Sequence, residues 1–148
     1  LEPYHLMFKN RGWYLIGKSS IHNEIRTFKV SRIISLEVMD TCFVPDKFFD
    51  LDEYIGSAWS MIKEGNIYNI RLKFSKKVAK NVSEIRWHKT QKTEFNDDGT
   101  LTAEFRVDGL EEVIWWILGY GDQVEVLAPK GLREKIAKIA EKMTKINK

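Results

Sequence analysis

Cys42 is the only cysteine in the 148 residues, so no internal disulfide can form. That usage fits a reducing compartment, and a cytoplasmic location is expected. Long hydrophobic runs are missing as well. The longest purely apolar stretch is residues 113–118, against about 20 residues for a membrane-spanning helix, so no membrane partner is expected. No basic-then-apolar leader opens the chain, and nothing points to secretion. It begins at Leu1 without a methionine, as a fragment or processed form would. Histidine is scarce: His5, His22 and His88 lack metal-ligand spacing, and each reads as a surface or locally hydrogen-bonded residue. A Gly-rich phosphate loop, a Gly-x-Ser-x-Gly turn and paired cysteines are all absent. With no nucleophile–base pair either, neither an enzyme nor a cofactor or metal is expected. There is no internal repeat and no low-complexity tract.

What remains is a globular composition, 43% hydrophobic and rich in aromatics. The net charge of +3 conceals a division. Residues 1–36 carry six bases against two acids, residues 37–66 two against seven, and residues 67–148 sixteen against twelve. The first stretch is basic and aromatic together, which suits an anionic, planar ligand. A solvated surface explains the same charges without any ligand.

Hydrophobic periodicity divides the chain into elements. Tyr4, Leu6 and Phe8 alternate with His5 and Met7 in a first strand, and Asn10-Arg11-Gly12 is a turn signal. Strands are expected at 13–18 and 25–30, with a fourth at 33–39; closely spaced short strands suggest a small barrel. Asp50-x-x-Glu53 resembles a capping box, and Leu51, Tyr54, Ile55, Ala58, Trp59 and Ile62 follow at helical spacing. Glu64-Gly65-Asn66 should stop that helix and mark the module boundary. Beyond it the order is strand 67–74, helix 76–85, a hairpin of 91–95 and 100–107 around Asn96-Asp97-Asp98-Gly99, a helix opened by Asp108-x-x-Glu111, strand 123–127 and a last helix. That βαββαβ order suits a ferredoxin-like sandwich. Leu132, Ile136, Ile139, Met143 and Ile146 form an apolar stripe on the last helix.

Single residues invite sharper readings. Glu94-x-Asn96-x-Asp98-Gly99 mimics the start of a calcium loop, but Phe105 stands where the closing acid belongs, so the hairpin explains those residues better. Cys42 beside Phe43 reads as a small core residue. Trp115 and Trp116 are adjacent in a helix and cannot both face the core, so one of them marks a candidate interface.

The run "RGWYLIG" followed by "IRTFKVSRI" resembles the WYL domain of bacterial transcriptional regulators, named for that Trp-Tyr-Leu motif. "LEPYHL" and "FFDLDEYI" resemble its flanks. The stretches "IYNIRLKFS", "EIRWHKTQ", "DDGTLTAEFRV", "VIWWILGYGDQVEVLAP" and "LREKI" resemble the C-terminal extension that often follows. The resemblance covers nearly the whole chain. It implies an α+β protein: a small Sm/SH3-like β-barrel over residues 1–64, truncated by its first strand and ending in a linker helix, then a ferredoxin-like α/β sandwich with a C-terminal helix over residues 65–148. It further implies a ligand-sensing regulatory region that binds a nucleic acid or nucleotide through the barrel, acts as a homodimer, and reaches DNA through an N-terminal helix-turn-helix missing here. Carried over by position, Tyr14, Arg26, Phe28 and Arg32 are the candidate ligand-binding residues. Guanidinium groups grip phosphate in bidentate fashion, and an aromatic face adds about 1–3 kcal/mol per stacked base. Trp13 and Leu15, on the strand face opposite Tyr14, would then pack the barrel. Two plainer readings stay open: Arg26 and Arg32 tie strands to acidic neighbours, or the chain is a protein-interaction and dimerisation module without a small ligand.

Overall fold

The computed structural model describes residues 1–9 and 11–148; Asn10, at the head of the expected first turn, lies outside the described residues. Among the described residues the protein is α+β, with a three-stranded and a four-stranded sheet, both antiparallel, and four α-helices. It divides into two compact units, 1–54 and 55–148.

The first unit is a meander of β1 (Glu2–Lys9), β2 (Gly12–Ser19) and β3 (Glu24–Lys29), in that order across the sheet. Val30–Arg32 closes it as a single 3-10 turn. The strand expected at 33–39 does not form. Its alternating apolar residues have no ladder to join, and Ile34, Leu36 and Val38 stand 100%, 73% and 86% exposed. A lone extended segment gains no inter-strand hydrogen bonds. Cys42, expected in the core, is exposed on the same irregular stretch.

The capping reading at Asp50 holds: its Oδ1 accepts the Glu53 amide at 2.7 Å. The helix is shorter than its periodicity predicts. α1 covers only Leu51–Ile55, and Gly56 then turns the chain at φ +60. A left-handed φ of that kind ends a helix and favours glycine. The division at Tyr54/Ile55 also precedes the boundary expected at Glu64–Asn66. Residues 56–66 belong to the second unit because its own groups hold them. Ala58 bridges Asp108, and the Asp108 amide donates to the Ser57 carbonyl at 2.6 Å.

The second unit follows the expected rhythm: β4 (Ile67–Phe74), α2 (Lys76–Glu84), β5 (Lys92–Phe95), β6 (Leu101–Asp108), α3 (Glu111–Leu118), β7 (Val124–Ala128) and α4 (Lys130–Ile146). The sheet order is β5-β6-β4-β7. Ile70, Leu72 and Phe74 of β4 alternate into the core with Leu101, Ala103, Phe105 and Val107 of β6. Val82 of α2, Val113 and Ile117 of α3 and Leu132 of α4 close that core. Asn69, Arg71, Glu104 and Arg106 therefore point to the other side of the sheet. Trp116 packs into the core at 4.7 Å from Trp59, whereas Trp115 is 72% exposed. On α4 the first half of the apolar stripe is used, through Leu132, Ile136 and Ile139; Met143 and Ile146 remain exposed.

The expected opening of α3 by Asp108-x-x-Glu111 is replaced by a longer-range arrangement. The Leu110 and Glu111 amides donate to the Glu64 carboxylate at 2.8 and 2.7 Å. The Asp108 carboxylate instead accepts the Glu64 and Gly65 amides at 3.0 and 2.8 Å. Glu112 takes the Ser60, Met61 and Ile62 amides on one oxygen, at 2.9, 2.9 and 3.1 Å. Three carboxylates thus clip residues 60–65 to the start of α3, which is why this stretch is not a free linker.

Candidate functional site

In the first unit, register decides which candidate residues meet. Across β2 and β3 the pairs are Tyr14 with Lys29, Leu15 with Phe28, and Gly17 with Arg26. Across β1 and β2 they include Met7 with Tyr14 and Phe8 with Trp13. Directly paired residues share a face and neighbours along a strand alternate. Arg26 and Phe28 therefore share one face with Leu15 and Trp13, and Tyr14 lies on the other. The four candidates do not form one cluster.

The Tyr14 face is the covered one. Ile16 on it is 1% exposed. The Tyr54 hydroxyl lies 3.2 Å from the Thr27 hydroxyl and donates to the Ile25 carbonyl at 3.4 Å. Tyr14 itself is half-buried. The opposite face is open at one end, where Trp13 is 50% exposed and packs on Phe8 with ring centroids 5.2 Å apart. At the other end Leu15 and Phe28 floor a groove of about 460 Å³, walled by Ile33, Leu36, Met39 and Phe43. The irregular stretch holds this wall through rings: Phe43 stacks on Tyr4 at 6.2 Å, and Phe49 meets Tyr4 edge-on at 5.2 Å.

Arg26 donates to Glu24 through Nε, at 2.9 Å, and through Nη2. Both partners are about half exposed. The strand-neighbour reading therefore describes Arg26 in the unliganded chain. Exposed pairs of this kind are worth only about 0–1 kcal/mol, so a phosphate can displace the carboxylate at small cost. Arg32 is exposed at the end of the 3-10 turn, without an ion pair among the described residues. Trp13 is the residue that sequence reasoning assigned to packing and that the structure leaves open beside Phe8. Alternation already placed it with Leu15; it could not tell that the face they share stays partly uncovered.

The remaining candidates fall into local roles. Asp98 caps the β5–β6 turn: it accepts the Thr100 hydroxyl and, at 2.9 Å, the Thr100 amide, with Lys73 at 3.3 Å. The Thr100 hydroxyl above all, then its amide, brings the Asp98 carboxyl down to about 2. His88 is buried, stacked on Trp59 at 5.7 Å, with Nε2 3.2 Å from the Ala58 carbonyl and Nδ1 accepting the Thr90 amide. Among the described residues no group of His, Cys, Asp and Glu could hold a metal, and no helix is long and apolar enough to cross a membrane.

Comparison with known proteins adds the following. Residues 66–144 match the family model described as the WCX domain, and residues 1–38 match the WYL domain. The HTH-type transcriptional regulator YobV of Bacillus subtilis (strain 168), itself described as uncharacterized, is 24% identical over 147 residues. The match covers 98% of this chain but 45% of that regulator, so the chain spans less than half its length. Proteasome accessory factor B/C (PafBC) of Arthrobacter aurescens is a solved structure with 19% identity and a TM-score of 0.40, covering 90% of this chain and 20% of that one. A likeness that distant carries no argument about this fold.

Proposed function

This chain belongs to the WCX-domain family and carries a WYL domain ahead of it, and on that premise we propose that it is the ligand-sensing regulatory region of a bacterial transcriptional regulator. Its role is binding, not catalysis. The ligand is a nucleic acid or nucleotide-like anion held on the open face of the first sheet. The observation that carries this reading is that Trp13, Phe28 and Arg26 share one face of the first sheet, with Phe28 flooring an apolar groove there and Arg32 in the 3-10 turn that follows β3. Phe28 and Trp13 offer ring surface; Arg26, released from Glu24, and Arg32 supply the phosphate contacts. Tyr14, on the covered face, supports the sheet from behind. Binding there would shift the populations of an attached helix-turn-helix, itself in the cytoplasm on DNA, and no reaction is needed.

The finer fold reading agrees with this assignment. A three-stranded meander is what a truncated Sm-like barrel would present, and the antiparallel order β5-β6-β4-β7 is the order of a ferredoxin-like sandwich. The exposed Trp115 on α3 favours a homodimer built through the second unit.

Fluorescence anisotropy with short single-stranded DNA, RNA and nucleotides tests the ligand. Arg26→Ala with Arg32→Ala should weaken binding strongly, Phe28→Ala should weaken it, and affinity should fall as salt rises. Unchanged affinity in the folded double variant would overturn the assignment. A second reading, a protein-interaction module, is favoured by the apolar residues of the irregular stretch: Ile34, Val44 and Phe48 are 80% exposed or more. It predicts no binding of any of these ligands and capture of a protein partner that charged substitutions at Ile34 and Val44 abolish.

A further inference from the structure

The second unit carries a cleft that the preceding reading leaves unused. It has a volume of about 610 Å³ and opens on the sheet side away from the helices. Four basic side chains line it, Arg71, Lys89, Lys92 and Arg106, against one carboxylate, Glu104. Glu104 stands 3.4 Å from Arg71 Nε, a half-exposed contact of little strength. Lys89, Lys92 and the Arg106 guanidinium have no ion pair among the described residues. The cleft is within the size range of small-molecule sites.

The fold builds this cleft through an interruption of one ladder. β5 pairs with β6 as far as Lys92 opposite Glu104. Two residues further along, a strand would place its own backbone opposite Arg106. The Thr90 hydroxyl takes that place: it accepts the Arg106 amide at 2.8 Å and donates to the Arg106 carbonyl at 3.0 Å. The chain before β5 therefore swings away from the sheet and leaves a gap. Gln91 fixes the outer wall, donating to the Ile85 carbonyl at 3.0 Å and accepting the Trp87 amide at 2.7 Å. The buried His88 anchors it from below. Lys89 is thus carried on a braced turn and Lys92 at the start of β5, lining the cleft together with Arg71 of β4 and Arg106 of β6. Donors held in place before the ligand arrives lose less entropy on binding.

We propose that this cleft binds a small organic phosphate, with Arg106, Lys92 and Lys89 around the phosphate and Arg71 exchanging Glu104 for it. The floor argues for a small molecule over a nucleic-acid strand. Phe105, the one aromatic residue in the lining, is 2% exposed and offers no ring for a base to stack on. An effector held here would act on the second unit directly. The proposal stands apart from the site at Arg26 and Phe28.

Amide chemical shifts of the full chain at low salt, followed as ATP, inorganic pyrophosphate or a short oligothymidylate is added, provide the test. ATP should move the amides of Arg71, Thr90, Lys92 and Arg106, and pyrophosphate should compete with it. Arg106→Gln with Lys92→Gln should weaken ATP binding at least about tenfold, with an unchanged thermal midpoint to show an intact fold. Arg26→Ala should leave ATP binding at these amides unaltered. The proposal is overturned by any of four results: no shift at these amides with ATP or pyrophosphate, equal affinity in the double variant, equal loss in Arg26→Ala, or a response to oligothymidylate without one to ATP.

Discussion

Removing the Glu112 carboxylate is the most direct test of how residues 60–65 are held. One oxygen of Glu112 accepts three amides, those of Ser60, Met61 and Ile62, at 2.9, 2.9 and 3.1 Å. Ser60 is 4% exposed, so its amide has no ready access to water after the change. Ile62 is 54% exposed and its amide can turn to solvent. The cost therefore rests mainly on Ser60 and partly on Met61. A hydrogen bond to a charged group contributes about 1.5–3 kcal/mol, and an amide left unpaired in a buried place costs about 1–3 kcal/mol. Losing a negative charge in the first turn of α3 adds about 0.3–1 kcal/mol. Glu112→Ala should therefore destabilise the second unit by about 2–4 kcal/mol, lowering its midpoint by roughly 10–20 °C for a domain of this size. Glu112→Gln keeps a neutral acceptor and should lose about half as much. Urea unfolding should show a lower midpoint at unchanged slope. Hydrogen exchange at the Ser60 and Met61 amides should accelerate beyond the global change. A loss below about 0.5 kcal/mol in Glu112→Ala, with exchange at Ser60 unchanged, would refute the clip as the reason this segment belongs to the second unit.

Limited proteolysis should cut first within the irregular residues 33–49 and spare 60–66, because the former expose Ile34, Val38 and Val44 and the latter are held by three carboxylates; first cleavage at Gly65 would contradict this. Asp98 should titrate with a midpoint near 2 in a carboxyl NMR titration, below its ordinary 3.8, and Thr100→Val should move it back up. Because the folded value is the lower one, the stabilisation from ionised Asp98 is complete above about 4 and fades as pH falls through about 2; Asp98→Asn should flatten the stability profile in that window alone. Trp115→Glu should leave the fold intact and abolish any dimer seen by light scattering, whereas Trp116→Glu, set among Trp59, Trp87, Phe74 and Tyr120, should unfold the second unit. A Trp115→Glu chain that still dimerises would move the interface elsewhere.

Much of the second unit was legible residue by residue. The Asn96-Asp97-Asp98-Gly99 turn, the strands β4 and β6 and the first half of the apolar stripe on α4 are local patterns that the structure follows, while Met143 and Ile146 at the end of that stripe stay exposed. The first unit was less legible. Residues 33–39 alternate as a strand does, yet a strand exists only beside a partner, and the described residues provide none. Residues 51–62 keep a helical period past the point where Gly56 breaks it, because the same apolar residues serve an irregular chain packed against α3 and β6.

The candidate site divides along the same line. Sequence alone settled that Arg26 and Phe28 share a face, that Trp13 and Leu15 share a face, and that Trp115 and Trp116 cannot, since these follow from periods of two and 3.6 residues. It could not settle that Phe28 meets Leu15 while Tyr14 meets Lys29, because register is a property of two strands together. Nor could it settle which face the chain later covers. The same holds for the start of α3: a helix accepts any carboxylate that reaches its first amides, and a residue 46 positions away, Glu64, arrives only once the sheet has brought the ends of β4 and β6 together. Local spacing determined the elements of the second unit and their apolar sides. Register, the covered face and the distant carboxylates were decided by tertiary structure, because each depends on where a second stretch of chain comes to lie.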